Sequence, residues 1–459
     1  MLVLLLFGTH LYFTVRLGVI QRKLPLGIWL SFTKDSSEIL TENEVSPYSA
    51  LATALAATIG TGNIIGISAA IAIGGPGAVF WCWLTGFLGV ATCYAESFLA
   101  VRYKVRDANG RSAGGPMYVL EHRLGKKWLA VLFSVFTVLA SFGMGSSVQA
   151  YSIRAAAEEL VSVSPHLVGI MTAVLAGVIM IGGRQTIAKV CTWLVPFMSI
   201  LYLGGCLWLI VKNKELLPQT VAVIFRTAFC GEAAVGGAAG GAVMTAVRVG
   251  VARGLFTNEA GLGSIPMAAA SSGSRDAVRQ GLVSMTGPFW DTVVMCAVTG
   301  IATVGSMLEN PQYYAGIPAD KICFASFAQL PAYGGELLAV SLALFAFATI
   351  IGWNVYGVTA VRYLAGEKGV SVYQVCYMLS VYLGAVLSME TVWGLADLFN
   401  VLMALPNLLC LFLLQREVLD GVRETNWSAW SCLEGEKRGE KTRKKACADT
   451  EKRLRFKMR

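Results

Sequence analysis

Apolar residues along this chain come in long runs, and most of the charged residues lie in the short stretches between them. A run of about twenty apolar residues spans a hydrocarbon core of roughly 30 Å as an α-helix. The short alternating segments of a membrane β-barrel do not occur. The pattern therefore predicts an all-α integral membrane protein. Eleven transmembrane helices are predicted, over residues 2 to 19, 48 to 73, 77 to 103, 127 to 151, 166 to 183, 187 to 211, 219 to 245, 283 to 305, 336 to 361, 370 to 388 and 391 to 414.

Glycine interrupts two of the predicted helices. The second contains ATIGTGNIIG at residues 57 to 66, and the seventh contains AFCGEAAVGGAAGGA at residues 228 to 242. Glycine readily leaves the helical range of backbone angles, so the carbonyl and N–H groups of such a stretch can face a cavity. Close helix packing is the alternative interpretation. The matching positions of the two stretches in the chain favour the cavity.

Without the first helix, the remaining ten helices divide into five and five, and each half begins with an interrupted helix. This arrangement is typical of secondary transporters built from two inverted repeats, with a binding site at the middle of the bilayer. We therefore predict an N-terminal helix and linker over residues 1–46, a first repeat over 47–217, a second repeat over 218–414, and a charged, disordered tail over 415–459.

Composition and charge agree with this architecture. The chain is 55% hydrophobic and 14% charged, with a mean hydropathy of +0.62 and a net charge of +9. The predicted inner loops hold most of the basic loop residues, whereas the outer loops hold only Arg154, Lys212, Lys214 and Lys321. By the positive-inside rule, the N-terminus lies outside and the tail in the cytoplasm. The excess positive charge suits anionic lipids of a cell membrane rather than nucleic acid.

Residues that would indicate an enzyme are scattered. The eleven cysteines lie mostly in predicted helices, and His10, His122 and His166 show no metal-ligand spacing. Neither a phosphate-binding loop nor a nucleophile beside a base is recognisable. The sequence thus predicts no enzyme and no cofactor.

Nine stretches follow one another in order along residues 3 to 415: ALATALAATIGTGNIIG, GGPGAVFWCWLTGFLG, SAGGPMYVL, GGRQTIAKV, LVPFMSILY, AAVGGAAGGA, RGLFTNEAGLGSIPMAAA, ATIIGWNVYG and VWGLADLFNVLMALPNL. Together they resemble the alanine or glycine:cation symporter family, the sodium:alanine symporters of bacteria and archaea. The resemblance implies the sodium-coupled inverted-repeat fold, with alternating access and uptake of alanine or glycine together with Na⁺.

The resemblance also implies a binding site. The coupling ion would be held by the carbonyls of Ala56 and Ile59 and by the hydroxyl of Thr349, without any other cofactor. The amino acid would contact residues of both interrupted helices and of two further core helices. These residues are Thr61, Gly62, Asn63, Gln149, Phe229, Thr349 and Trp353.

Each of these side chains also has an ordinary structural interpretation. Gln149 could bind the substrate ammonium or clasp two helices. Trp353, which shares a helix face with Thr349, would shrink the cavity and admit only small side chains, but it could equally pack the core. For Phe229, packing is the more common role.

Several acidic residues leave the coupling ion open. Glu232 lies in the second interruption, where the family leads us to expect a neutral residue, and its carboxylate could bind the ammonium or carry a proton. Glu96, Asp291 and Asp397 also lie within predicted helices, where structural pairing and transport are both plausible roles. A proton-coupled transporter is therefore the alternative, and a channel or a transporter-like sensor are the more distant ones.

The segment from residue 253 to residue 270, RGLFTNEAGLGSIPMAAA, is rich in small residues and poor in charge. We predict an inner-face connection there, packed as short helices beneath the binding site near the inner gate. The alternative is a plain connecting loop.

Overall fold

A computed structural model describes residues 2–33, 44–107, 110–230, 239–425 and 427 of the chain. Helices dominate, and a two-stranded antiparallel hairpin of Val105–Arg106 and Ser112–Ala113 is added to them. The α-helices are α1 (Leu2–Arg16), α2 (Leu24–Ser31), α3 (Pro47–Thr58), α4 (Ile67–Gly74), α5 (Gly77–Arg102), α6 (Pro116–Tyr118), α7 (Lys127–Ala140), α8 (Val148–Glu158), α9 (Pro165–Ile181), α10 (Gly183–Lys212), α11 (Leu217–Phe229), α12 (Ala239–Asn258), α13 (Ile265–Ala270), α14 (Ala277–Ser284), α15 (Thr286–Pro288), α16 (Ala297–Glu309), α17 (Ile322–Phe327), α18 (Gly334–Val386), α19 (Met389–Leu413) and α20 (Gln415–Glu424).

Four π-helical segments lie next to α-helices in the chain. They are Gly62–Gly66, Val119–Arg123, Ser141–Ser147 and Phe289–Cys296. The second joins α6, the third joins α7 to α8, and the fourth precedes α16. Short 3₁₀ turns at Ile20–Lys23 and Lys214–Leu216 complete the helical elements of the described residues.

Long apolar helices make the chain a multi-pass membrane protein. Within the described residues, five helices are long and apolar enough to cross a bilayer unaided: Gly77–Arg102, Lys127–Glu158, Gly183–Lys212, Ala277–Glu309 and Gly334–Val386. Other spans are bent, since the chain turns by 67° between α1 and α2 and by 53° between α3 and α4. All eleven predicted stretches contain helix, which confirms the all-α class.

The long helix α18 is a hairpin that folds back on itself. At Gly366 the backbone takes φ 67° and ψ −164°, which glycine adopts without steric cost. Beyond this turn, the Tyr377 hydroxyl donates to the carbonyl of Ile350 at 2.8 Å and lies 3.0 Å from that of Gly145. The two arms match the separate helices predicted over residues 336 to 361 and 370 to 388.

The seventh predicted helix, over residues 219 to 245, differs from the structure. Helix α11 begins near the end of α16, because a Cβ atom at Gly305 would lie 3.5 Å from Thr220 Oγ1. It ends at the start of α5, because a Cβ atom at Gly77 would lie 2.5 Å from the Ala228 nitrogen. Since α5 and α16 run antiparallel, these two points are on the same side of the molecule. Helix α11 therefore lies along that side instead of crossing.

Helix α12 makes the crossing instead. It packs along α5 through glycines, since Cβ atoms at Gly250 and Gly254 would lie 2.4 Å from the carbonyl oxygen of Ala78 and 2.9 Å from that of Cys82. Such contacts between small residues let helices approach closely in a membrane. After α12, residues 259–264 interrupt the helix before α13 continues the crossing.

Contacts divide the chain into two units, Met1–Leu413 and Leu414–Arg459. In the second unit, the structure describes helix α20, which carries Arg416, Glu417, Asp420 and Arg423 among apolar residues. Most of the tail predicted over 415–459 lies outside the described residues.

Candidate functional site

The first interruption is built around the side chain of Asn63. Helix α3 ends at Thr58, Ile59 turns to an extended ψ of 91°, and helical structure resumes near Gly62. The Asn63 Oδ1 atom accepts the Gly60 N–H at 2.9 Å. Its Nδ2 atom donates to Asp291 Oδ1 at 2.8 Å. Asn63 therefore fixes the shape of the break and ties it to the π-helical segment Phe289–Cys296.

Helix α18 closes one side of this break. The Thr349 hydroxyl lies 3.1 Å from the carbonyl of Ala56 and 3.1 Å from that of Phe345, and donates between them. A Cβ atom at Gly60 would lie 2.7 Å from Thr349 Oγ1 and 3.6 Å from Gln149 Oε1. Only glycine fits at position 60 without displacing the hydroxyl, so the break brings its backbone directly against α18 and α8.

Two polar atoms beside the break have no hydrogen-bond partner among the described residues. They are Thr61 Oγ1 and Gln149 Oε1, and both side chains are fully buried. The other end of the Gln149 amide is anchored, because Nε2 donates to the Met144 carbonyl at 3.1 Å. A buried oxygen without a partner costs about 1–3 kcal/mol, so such atoms commonly await a ligand or a water molecule.

The second interruption, residues 259–264, lies against the first. Glu259, Gly261 and Gly263 have φ values of 53°, 84° and 87°. Just before it, at the end of α12, Thr257 and Phe256 contact the first break: a Cβ atom at Gly62 would lie 2.6 Å from Thr257 Cγ2 and 3.6 Å from Phe256 Cδ1. Two interrupted helices thus meet at one place.

Buried acidic groups hold the second interruption in place. Glu96 Oε1 accepts the Gly261 N–H at 3.2 Å, and Glu96 Oε2 accepts from Asn407 Nδ2 at 2.9 Å. The same Asn407 nitrogen donates to the Gly261 carbonyl at 2.9 Å. Glu259 Oε2 accepts the Ser264 hydroxyl at 2.5 Å. These residues therefore serve structural pairing, one of the two roles predicted for Glu96.

Trp353 is fixed by the second interruption. Its indole N–H donates to Glu259 Oε1 at 2.9 Å, and its ring packs edge-on against Tyr356 at 5.5 Å between centroids. A Cβ atom at Gly145 would lie 2.5 Å from Trp353 Cβ, so this glycine makes room for the tryptophan. The side chain is fully buried.

Phe229 does not join the other predicted residues. It lies at the end of α11 with 57% of its surface exposed, and its ring packs on Phe80 at 5.0 Å and on Trp81 at 5.7 Å. The aromatic side chain beside the first break is Phe256 instead. Most of the interruption predicted over 228 to 242, including Glu232, lies outside the described residues.

The structure brings together Thr61, Gly62, Asn63, Gln149, Thr349 and Trp353 from the predicted substrate site, and Ala56, Ile59 and Thr349 from the predicted ion site. Sequence reasoning passed over Glu259 and Phe256, and it left structural pairing and transport both open for Asp291. One signal was available for Glu259, since an acidic residue beside two glycines in an apolar segment is expensive unless it has a purpose.

Oxygen atoms dominate the first break and its surroundings. No group of three or more His, Cys, Asp or Glu side chains that could hold a metal occurs within the described ranges. The carbonyl of Ala56 and the hydroxyl of Thr349 are adjacent, and the extended ψ of Ile59 turns its carbonyl away from the helical direction. Hard cations are bound by such neutral oxygens without a carboxylate cage.

The sequence of this chain matches a known protein family and several of its members. A family model described as the sodium:alanine symporter family matches residues 1–432. The sodium/alanine symporter AgcS of Methanococcus maripaludis is 41% identical over 93% of this chain and 94% of its own length. The probable sodium/glutamine symporter GlnT of Bacillus subtilis is 36% identical over 92% of this chain and 87% of its own. Among solved structures, MhsT in complex with L-phenylalanine superposes with a TM-score of 0.62 at 12% identity, over 85% of this chain and 95% of that one, so the two share a fold.

Proposed function

Because this chain belongs to the sodium:alanine symporter family, we propose that it is a secondary active symporter that imports alanine, glycine or a similarly small neutral amino acid with Na⁺. Membership makes it a membrane transporter and not an enzyme, as its sequence predicts. The observation that carries the proposal is the meeting of two interrupted helices, where Gly62 contacts the end of α12 and the buried oxygens of Thr61 and Gln149 have no partner among the residues that the structure describes.

The first break suits the carboxylate of an amino acid. Helical structure resumes there, and the first N–H groups of a helix have no partner within it and carry partial positive charge. In this proposal the N–H groups near Thr61 and Gly62, with the Thr61 hydroxyl, bind the carboxylate. Gln149 Oε1 accepts from the substrate ammonium. Asn63 contributes by holding the break in shape through Gly60 and Asp291.

The proposed ion site lies about one helical turn before Thr61 and Gly62 in the chain. The proposal assigns Na⁺ to the carbonyl oxygens of Ala56 and Ile59 and to the hydroxyl of Thr349. Because α3 provides the first two and α18 the third, a bound ion would join these helices. The substrate site uses the same stretch of chain, so each ligand would stabilise the arrangement that the other needs.

Alternating access requires a state closed to both sides, and the buried centre is compatible with one. Thr61, Asn63 and Trp353 have none of their surface exposed, and Gln149 and Thr349 have only 1%. In the proposed orientation, the N-terminus lies outside and the C-terminus in the cytoplasm of a cell membrane. The partners are then the amino acid, Na⁺ and membrane lipids.

Uptake into proteoliposomes tests the proposal. Radiolabelled alanine should accumulate when a Na⁺ gradient is imposed and not without it. Thr349→Val removes the hydroxyl while keeping the shape, and it should raise the Na⁺ concentration needed for half-maximal uptake by about tenfold, as for one lost ligand worth about 1.4 kcal/mol.

Thr359→Val is the matched control for that variant. Thr359 is also buried on α18, but its hydroxyl donates to Val355 of its own helix at 2.7 Å. Its Na⁺ dependence should equal that of the wild type. An equal loss in both variants would mean that Thr349 acts through helix stability and not as an ion ligand.

Substrate size depends on Trp353 in this proposal. Trp353→Ala should admit amino acids with larger side chains, measured as competition of leucine or glutamine against alanine uptake. Glu259→Gln keeps a side chain of the same shape and an acceptor oxygen for the indole, so it should keep the wild-type preference. Unchanged selectivity in Trp353→Ala would leave the tryptophan a packing role only.

Proton coupling is the second candidate, and the contact of Asp291 with Asn63 favours it. A carboxyl group buried against the break could exchange a proton as the break opens. Uptake driven by a proton gradient, indifferent to Na⁺ and abolished in Asp291→Asn, would select this candidate. If Asp291→Asn leaves proton-driven uptake intact, Glu232 becomes the residue to change.

A further inference from the structure

A cavity of about 280 Å³ lies where α9 ends and α10 begins, far along the chain from the interrupted helices. Residues 182–185 form its floor, and the side chains of Arg111, Arg362 and Glu367 line its walls. These residues come from the β-hairpin, the α9–α10 junction and the turn of the α18 hairpin. All lie on the side that the charge pattern predicts to be cytoplasmic.

The cavity has an excess of positive charge. Arg111 Nη1 and Arg362 Nε both donate to Glu367 Oε1 at 2.7 Å, so two guanidinium groups share one carboxylate oxygen. Arg184 adds a third guanidinium group, whose Nη1 donates to the Ser112 carbonyl at 2.9 Å. The nearby Asp107 carboxylate accepts the backbone N–H of Arg111 at 2.8 Å. Guanidinium groups in such a cluster match the geometry of a phosphate group.

Exposed apolar side chains lie next to the cavity, as expected beside a binding site for a lipid headgroup. Ile181 is 82% exposed directly before the cavity floor, and Val178 and Leu175 continue the exposed apolar surface one and two turns back along α9. On α10, ten residues beyond the junction, Trp193 is also 82% exposed. An acyl chain can lie on this surface while its headgroup reaches the arginines. Inorganic phosphate would use the arginines alone.

We propose that this cavity binds the phosphate of an anionic phospholipid, which joins the β-hairpin, the α9–α10 junction and the α18 turn at the membrane surface. The site is independent of the proposed amino-acid site. Arg111 and Arg362 contact the phosphate, and Glu367 competes with it for them. The lipid therefore binds by displacing the carboxylate from part of its contacts.

Native mass spectrometry of the full chain tests this proposal. Purified protein is titrated with phosphatidylglycerol or phosphatidylcholine, and bound lipid is counted. Phosphatidylglycerol should be retained preferentially. The double variant Arg111→Gln and Arg362→Gln should weaken phosphatidylglycerol binding roughly 30-fold, because each basic residue near a membrane surface contributes about 1 kcal/mol to binding. Lys189→Gln, which removes an exposed charge from α10 outside the cavity, should bind as the wild type does.

A variant with stronger lipid binding distinguishes loss of the site from a folding defect, because a misfolded protein would not gain affinity. Glu367→Gln removes the competing carboxylate and should strengthen phosphatidylglycerol binding about fivefold. Wild-type retention in the double arginine variant overturns the proposal, and so does equal retention of the two lipids. Displacement of phosphatidylglycerol by millimolar inorganic phosphate, with phosphate itself bound, would assign the cavity to a soluble phosphate anion instead of a lipid.

Discussion

The two interruptions that meet at the centre of this protein differ in what holds them. The first, around Gly60, is shaped by a neutral amide and lies against the hydroxyl of Thr349, and two oxygens beside it have no partner in the described part of the chain. In the second, around Gly261, both the N–H and the carbonyl of that glycine are bonded, to Glu96 and Asn407. The first break thus has the free oxygens that the proposed ligand site needs, whereas the backbone of the second is held by buried side chains of α5 and α19.

This difference separates two kinds of mutational effect. Changes at the first break should impair transport more than folding, because few internal bonds depend on its unpaired groups. Changes at the second should impair folding, because its acidic groups and backbone are mutually satisfied and buried. A variant that reversed either expectation would contradict the comparison.

The largest effect is expected for Gly60→Ala. The added methyl group would lie 2.7 Å from Thr349 Oγ1 and must displace the hydroxyl or the break. Overpacking of this kind costs about 1–3 kcal/mol, and if this cost falls on the transport-competent shape of the break, Na⁺-driven alanine uptake drops roughly 5- to 150-fold. Gly204→Ala in α10 meets no atom within 4 Å and serves as the control. Wild-type uptake by Gly60→Ala would show that the hydroxyl can move without consequence.

Asn407→Leu should destabilise the folded protein rather than change the binding of Na⁺ or substrate. It leaves one acceptor on Glu96 and one on Gly261 without their donor, at a cost of about 2–6 kcal/mol if each is worth about 1–3 kcal/mol. The thermal unfolding temperature in detergent should fall by several degrees. Asn400→Leu on the same helix is the control, because both polar side-chain atoms of Asn400 lack a partner within the described chain. Similar unfolding temperatures for the two variants would remove the structural role of Asn407.

The smallest effect concerns pH and Lys104, outside the membrane-spanning helices. Its Nζ donates to the carbonyls of Ser272 at 2.8 Å and Ser274 at 2.7 Å, beyond the second interruption. Burial lowers the pKa of Lys104 from 10.5 to about 8, and the positive charges of Arg106 and Arg275 add to this against Glu44. At a pH between these two pKa values, Lys104 is protonated in the unfolded chain but not in the folded one. The stability of the folded protein therefore rises as pH increases above about 8.

Melting curves at pH 7 and pH 9.5 check the sign of this effect. The unfolding temperature of the wild type should rise by about 1–2 °C relative to Lys104→Met over that range. A relative fall would show that the charged amine is the form that the folded protein favours.

The first break could be predicted from sequence because its determinants are local. Gly60, Gly62 and Asn63 lie in one short apolar segment, and the shape that they impose depends on bonds across three residues. The position of Thr349 followed from the family resemblance. Spacing alone cannot relate Thr349 to Ala56, which lies far away in the chain.

The second break was misplaced for a physical reason. Helix α12 carries Arg248 and Arg253, which lower the mean hydropathy of the segment, so the predicted helix ended at residue 245. The residues after it were predicted to connect helices at the inner face. Trp353 was named from the family resemblance, but its partner Glu259 is 94 positions away, and no periodic pattern links them.

The Thr349 hydroxyl donates toward the carbonyls of Ala56 and Phe345, and the first of these oxygens is also a proposed ligand of the cation. While it donates to the Ala56 carbonyl, that oxygen is engaged and the lone pairs of the hydroxyl are turned aside. Binding of the ion therefore requires the Thr349 hydroxyl to rotate, so that its lone pairs face the ion. If Na⁺ binds as proposed, the hydrogen bond from the Thr349 hydroxyl to the Ala56 carbonyl gives way to bonds from both oxygens to the ion, and these would join α3 to α18.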